Sequence, residues 1–153
     1  MINTIWTDLS PSAVRFLLLL PLLLWATVTD LRRSLIPNSC CLILLICGLV
    51  LPAWHQWDLS WSEVMGATLL TFIVSYGLYL LGQGAGDAKL LTALAALFGY
   101  AIIVVAVLSY LLAGCVALIL LALKRITRQT RLPLAPAITA ATLLYLSFTV
   151  FNR

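Results

Sequence analysis

Between Ala88 and Leu123 the chain is almost continuously apolar, and this run limits the possible folds more than any other feature. As a single helix it would be about 54 Å long at 1.5 Å per residue. The hydrocarbon core of a bilayer is only about 30 Å thick. We therefore predict two membrane-spanning helices in this run, with a turn near Gly99 and Tyr100.

Charged residues are too few to cover a water-facing surface. They make up 9% of the 153 residues, and 63% are hydrophobic, whereas a soluble domain is about 25% charged. At about 20 residues per span, the chain has room for about six spans and no separate soluble domain. We predict an all-α membrane protein that forms one integral membrane domain over residues 1–153.

Glycines, prolines and charged residues divide the chain into six predicted spans. Ser60 and Glu63 have the spacing of a capping box at the start of the third span. The predicted spans are approximately 12–35, 39–54, 62–81, 87–99, 101–123 and 135–151.

The distribution of basic residues predicts the orientation in the membrane. Seven of the nine lie in the loops after spans one, three and five: Arg32, Arg33, Lys89, Lys124, Arg125, Arg128 and Arg131. Basic loops stay in the cytoplasm, so these loops are predicted to be cytoplasmic and both termini to face out. Trp54, Trp57 and Trp61 then form an aromatic belt at the outer boundary. The net charge of +4 is therefore read as a topology signal, and no nucleic-acid partner is predicted.

Two acidic residues, Asp30 and Asp87, are predicted to share the cytoplasmic edge. Asp30 ends the first span and Asp87 opens the fourth, and no other acidic residue lies on that side. An ionisable residue at this depth is costly and is a functional candidate by default. Two neighbouring carboxylates in a poor dielectric hold one proton between them. Such a pair can act as general base and general acid in peptide hydrolysis.

Spacing alone leaves other interpretations open. Arg33 could pair with Asp30 at i+3, and Asp87 could simply cap a helix. The acids could also belong to a proton relay or transporter, or to a non-catalytic assembly subunit. A relay would need further polar residues through the middle of the bilayer, where the spans offer only scattered Ser and Thr.

The remaining reactive side chains predict no metal site, disulfide or cofactor. His55 is the only histidine and lies on the predicted outer side. No CxxC pair is present, and all the cysteines lie in apolar runs: Cys40, Cys41, Cys47 and Cys115. The sequence predicts no particular oligomeric state.

Two motifs resemble those of type IV prepilin peptidases. The segment TVTDLRRSLIPN is similar to their first active-site motif, and GQGAGDAKLL contains the GxGDxK pattern of the second. LTALAALFGY and the later LPLAPAI also look like the family pattern, so the resemblance covers nearly the whole chain. It implies that Asp30 and Asp87 are the catalytic pair of an aspartic-type endopeptidase.

The resemblance also implies the substrate and location. Prepilin or pseudopilin precursors, each a basic leader followed by a hydrophobic helix, would be cut at the cytoplasmic face of the bacterial inner (plasma) membrane. The chain looks like the short family form found with tight-adherence (Flp-type) pili. It lacks the paired CxxC motifs of the long form, so neither zinc nor N-methyl transfer is expected. Preflagellin and presenilin-like peptidases share GxGD, but presenilin-like enzymes have Tyr where Thr29 precedes Asp30.

Residues around the two acids are given supporting roles. Gly84 and Gly86 are predicted to let the backbone bend and to pair with an extended substrate segment. Lys89 lies about 200° around a helix from Asp87 and is expected to face lipid headgroups. Membrane lipids and the precursor are the predicted partners. The supporting residues are Arg33, Pro37, Asn38 and Lys89.

Overall fold

The computed structural model describes residues 11–33, 35–53, 58–124 and 133–151. In these ranges it contains helices and turns and no strand, so the all-α prediction is confirmed. Two short 3-10 turns, Leu51–Ala53 and Gly99–Ala101, accompany the α-helices. The α-helices are α1 (Pro11–Arg33), α2 (Asn38–Val50), α3 (Trp61–Leu80), α4 (Ala85–Phe98), α5 (Ile102–Ala122) and α6 (Ala135–Phe151). They correspond in order to the six predicted spans.

Two helical stretches of the described chain are long and apolar enough to cross a bilayer. They are α3 and the 38-residue stretch Ala85–Ala122, in which α4 and α5 follow each other through a 3-10 turn. Both carry large hydrophobic side chains on the outside, for example Leu80 and Leu118, each 68% exposed. An apolar outer surface requires an apolar solvent, which fits a membrane protein.

Gly99 separates α4 from α5, near the predicted turn. Its φ is +57°, a backbone conformation that residues with a Cβ rarely adopt. A Cβ at this position would also lie 3.1 Å from Leu59 Cδ2. The helices on either side of this turn pack against different neighbours, α4 against α2 and α3, and α5 against α6.

Helix α4 is the most deeply buried helix, and small residues allow its neighbours to approach closely. Leu90, Leu91 and all of residues 93–98 are buried. Where α2 crosses α4, a Cβ on Gly48 would lie 2.5 Å from Ala96 Cβ. The absence of a side chain at Gly48 therefore sets the distance between these two helices. Packing through small residues is the usual way in which membrane helices associate.

Cross-chain contacts define the two ends of the bundle. At one end Arg15 of α1 forms an ion pair of 2.5 Å with Asp58, which precedes α3. At the other end the Asp30 carboxylate of α1 contacts the first residue of α6, Ala135. The Lys89 side chain of α4 contacts Asn38 of α2 at this same end. The two predicted catalytic acids therefore lie at one end of the bundle.

The start of α3 agrees with the prediction, and the start of α4 lies slightly earlier than predicted. The capping box is present: Glu63 N donates to Ser60 Oγ (3.3 Å), and Ser60 N donates to Glu63 Oε2 (2.8 Å). Helix α4 begins at Ala85, two residues before the predicted start at Asp87. Several other predictions lie outside the described residues, namely those for Trp54, His55, Trp57, Arg125, Arg128 and Arg131.

Candidate active site

Asp30 lies in the last turn of α1 and is buried, with 7% of its surface exposed. Its Oδ2 accepts a hydrogen bond of 3.1 Å from the backbone N–H of Ala135. Ala135 is the first residue of α6, so the carboxylate lies at a helix N-terminus, where a negative charge is stabilised. The alternative pairing with Arg33 is not formed: in the described part of the chain no ion pair joins the two, and Arg33 is exposed.

Asp87 lies in the first turn of α4 and is partly exposed. The residue that caps this helix is Gly84, which has extended backbone angles and no side-chain cap. The interpretation of Asp87 as the cap is therefore wrong. Its carboxylate bends back toward Gly84, because a Cβ placed on that glycine would lie 2.8 Å from Asp87 Oδ2.

The two carboxylates come together from opposite halves of the chain. They lie near enough for the charge of Asp30 to act on Asp87. Within the described ranges neither is ion-paired with a basic side chain. Two acids within electrostatic range of each other, with no basic side chain ion-paired to either in the described ranges, are candidates for a general acid and a general base. A pair of this kind can activate water and protonate a leaving group.

Gly84 and Gly86 occupy different structural positions. Gly84 precedes α4, whereas Gly86 is already the second residue of the helix. A Cβ on Gly86 would lie 3.2 Å from Ile36 Cβ, in the connection between α1 and α2. Gly86 thus packs the start of α4 against the segment that follows Asp30, a role that the sequence interpretation did not include.

Pro37, Asn38 and Lys89 form one connected group at the end of the bundle that holds the acids. The Pro37 carbonyl accepts the N–H groups of Cys40 (3.1 Å) and Cys41 (3.4 Å), so it begins α2. Lys89 Nζ donates to Asn38 Oδ1 at 3.1 Å. This contact ties α4 to the start of α2, and the Lys89 side chain is exposed.

Two residues near Asp87, Tyr110 and Gln83, were not identified from the sequence. Tyr110 of α5 lies within electrostatic range of Asp87, and its hydroxyl is beside the Gln83 side chain. The contact of Gln83 with Tyr110 lacks regular hydrogen-bond geometry, and both amide atoms of Gln83 are buried. A pattern of residue types carries no signal for such a contact, because it depends on how α5 packs.

No metal-ligating cluster occurs in the described ranges. There, no three His, Cys, Asp or Glu side chains converge. The four cysteines are free, and Cys40 Sγ donates to the carbonyl of Leu22 at 3.2 Å. Its thiol therefore takes part in packing between α1 and α2.

Comparison with known proteins identifies the family of the chain. Residues 17–121 match the type IV leader peptidase family. This match covers more than half of the chain, so the chain belongs to that family, whose members are aspartic prepilin peptidases. It includes both aspartates, all of α2, α3 and α4, and most of α1 and α5.

One similar protein is the prepilin peptidase EppA of Methanocaldococcus jannaschii. The two sequences are 33% identical over 79 residues, which is 52% of this chain. The chain spans about a fifth of that relative's length, since the match covers 22% of it. No solved structure matches the chain.

Proposed function

We propose that this chain is a membrane aspartyl endopeptidase that removes leader peptides from type IV pilin-like precursors. The observation that carries the proposal is the meeting of Asp30 and Asp87 at one end of the bundle. Family membership supplies the reaction class. The similar archaeal protein is named as a prepilin peptidase, which supports a prepilin as substrate here.

The proposed mechanism uses the two acids as base and acid. The ionised carboxylate takes a proton from a water molecule, whose oxygen attacks the scissile carbonyl carbon. The protonated carboxylate gives its proton to the leaving nitrogen as the carbon–nitrogen bond breaks. The pair again holds one proton, which now lies on the carboxylate that acted as base. The hydrogen bond from Ala135 N to Asp30 holds one member of the pair in position.

We further propose that all six helices span the bacterial inner membrane, with the acids at the cytoplasmic edge and both termini outside. Arg32 and Arg33 end α1 next to Asp30, and Lys89 belongs to the same end as Asp87. Arg15 lies at the opposite end and is paired with Asp58. This distribution supports the orientation that the positive-inside rule predicts.

The proposal can be tested with purified protein and a prepilin precursor. Wild type is expected to release the leader, with the cut just before the hydrophobic helix, as identified by mass spectrometry. Asp30→Asn and Asp87→Asn should leave the precursor intact while keeping the wild-type helical content. An archaellin precursor in parallel separates this activity from that of a preflagellin peptidase. Normal processing by either variant would contradict the mechanism.

A further inference from the structure

A lateral groove lies on the side of α4 that faces away from Asp87. It has a volume of about 830 Å³ and lies between α2, α3 and α4, within the size range of ligand sites. At 100° per residue, Ala85 and Thr92, which line it, lie about 160° and 140° around α4 from Asp87. Neither acid lines the groove, so it is a separate site.

The walls of the lateral groove are apolar and one end is polar. Leu42, Leu45 and Phe72 are among its hydrophobic lining. Asn38, Ser39 and Lys89 also line it, and they belong to the end of the bundle that holds the acids. The groove therefore has hydrocarbon-like walls and a hydrogen-bonding, positively charged mouth.

The charge at the mouth has no acidic counterpart in the described part of the chain. Lys89 Nζ contacts the neutral Asn38 Oδ1 at 3.1 Å, and no Asp or Glu there forms an ion pair with it. A cation at the edge of a groove between membrane helices is complementary to a lipid phosphate. The Ser39 hydroxyl and the Asn38 amide can donate to the same phosphate.

We propose that the lateral groove binds one anionic phospholipid, with its acyl chains between α2 and α3 and its phosphate on Lys89. Tyr76 and Tyr79 of α3 form part of the wall against which the chains lie. The lipid would fill the gap between α2 and α3, which contact each other little although both pack on α4. The proposal is independent of the peptidase activity.

The test uses purified full-length protein in neutral detergent, titrated with phosphatidylglycerol or with phosphatidylcholine of the same acyl chains. Native mass spectrometry measures the number of bound lipids and their dissociation constants. Wild type should retain one phosphatidylglycerol in preference to phosphatidylcholine. Lys89→Gln should weaken phosphatidylglycerol binding about fivefold, as expected for one cation near a headgroup, and leave phosphatidylcholine binding unchanged.

Two further variants complete the design. Lys124→Gln removes the same charge at the exposed end of α5, away from the groove, and should bind both lipids like wild type. Ala88→Trp fills the groove and should lower the affinity for both lipids, with circular dichroism as the folding control. Equal losses in the two lysine variants would overturn the proposal. The proposal would also be overturned if wild type formed a dimer that Ala88→Trp dissociates while lipid binding stays unchanged. The groove would then be an interface between two copies of the chain and not a lipid site.

Discussion

The positions of the Asp30 and Asp87 carboxylates both depend on nearby backbone. Asp30 is fixed by the N–H of Ala135, whereas Asp87 depends on the absence of a side chain at Gly84. Residue types and motif spacing identify both acids as candidates. They do not identify Ala135, which lies 105 residues from Asp30 in the chain, because that contact exists only once α1 and α6 have packed.

Gly84→Ala tests the position of the Asp87 carboxylate. The new Cβ would lie 2.8 Å from Asp87 Oδ2, so the flexible carboxylate must move while the helix stays formed. A displacement of about 1 Å at a reacting group costs on the order of 100-fold in rate. We expect such a loss in leader cleavage without a loss of helical content. Gly114→Ala, where nothing lies within 4 Å, is the matched control and should cleave normally.

Gly86→Val distinguishes packing from substrate recognition. The added side chain would meet Ile36, whose atoms lie 3.2 to 3.4 Å from the ideal Cβ, and we expect cleavage to fall because the start of α4 is pushed away from α1. Ile36→Gly in the same chain removes all three of these atoms and should recover part of the activity. If the double variant stays as inactive as Gly86→Val, the glycine acts on the substrate and not through Ile36.

Helix lengths and breaks are the part of this fold that the sequence predicts well. The helices occupy the apolar runs, and Gly99 interrupts the longest run near the predicted turn. The sequence does not predict which helices pack against each other. Nothing in the run at 85–98 indicates that it packs against α2 and α3 more than against α5, because apolar faces look alike along such helices.

Gly48→Ala tests the closest of these helix contacts. Its Cβ would lie 2.5 Å from Ala96 Cβ and 2.7 Å from the Ala96 backbone carbon, so α2 and α4 must separate. Overpacking of this kind lowers the free energy of unfolding by about 1–3 kcal/mol. Denaturant titration in detergent should show the loss. Gly77→Ala in α3, which has open space at its Cβ, should be as stable as wild type or slightly more so.

The orientation of the whole bundle is tested by labelling introduced cysteines in intact cells. Ser62 is exposed at the start of α3, and Lys124 is exposed just after the end of α5. In a background without native cysteines, a membrane-impermeant maleimide should label Ser62→Cys from outside. It should label Lys124→Cys only after the membrane is permeabilised. Labelling of both from the same side would contradict the proposed six-span topology.

The central claim is that Asp30 and Asp87 act as one unit, and a double-mutant cycle tests it most directly. Cleavage of a prepilin precursor is measured for wild type, Asp30→Asn, Asp87→Asn and the double variant. Residues that act together in one step are strongly non-additive. We predict that each single change lowers the rate by on the order of a thousandfold or more, and that the double variant is no slower than the slower single variant. Rate losses that multiply, or a single variant that cleaves at the wild-type rate, would contradict the claim.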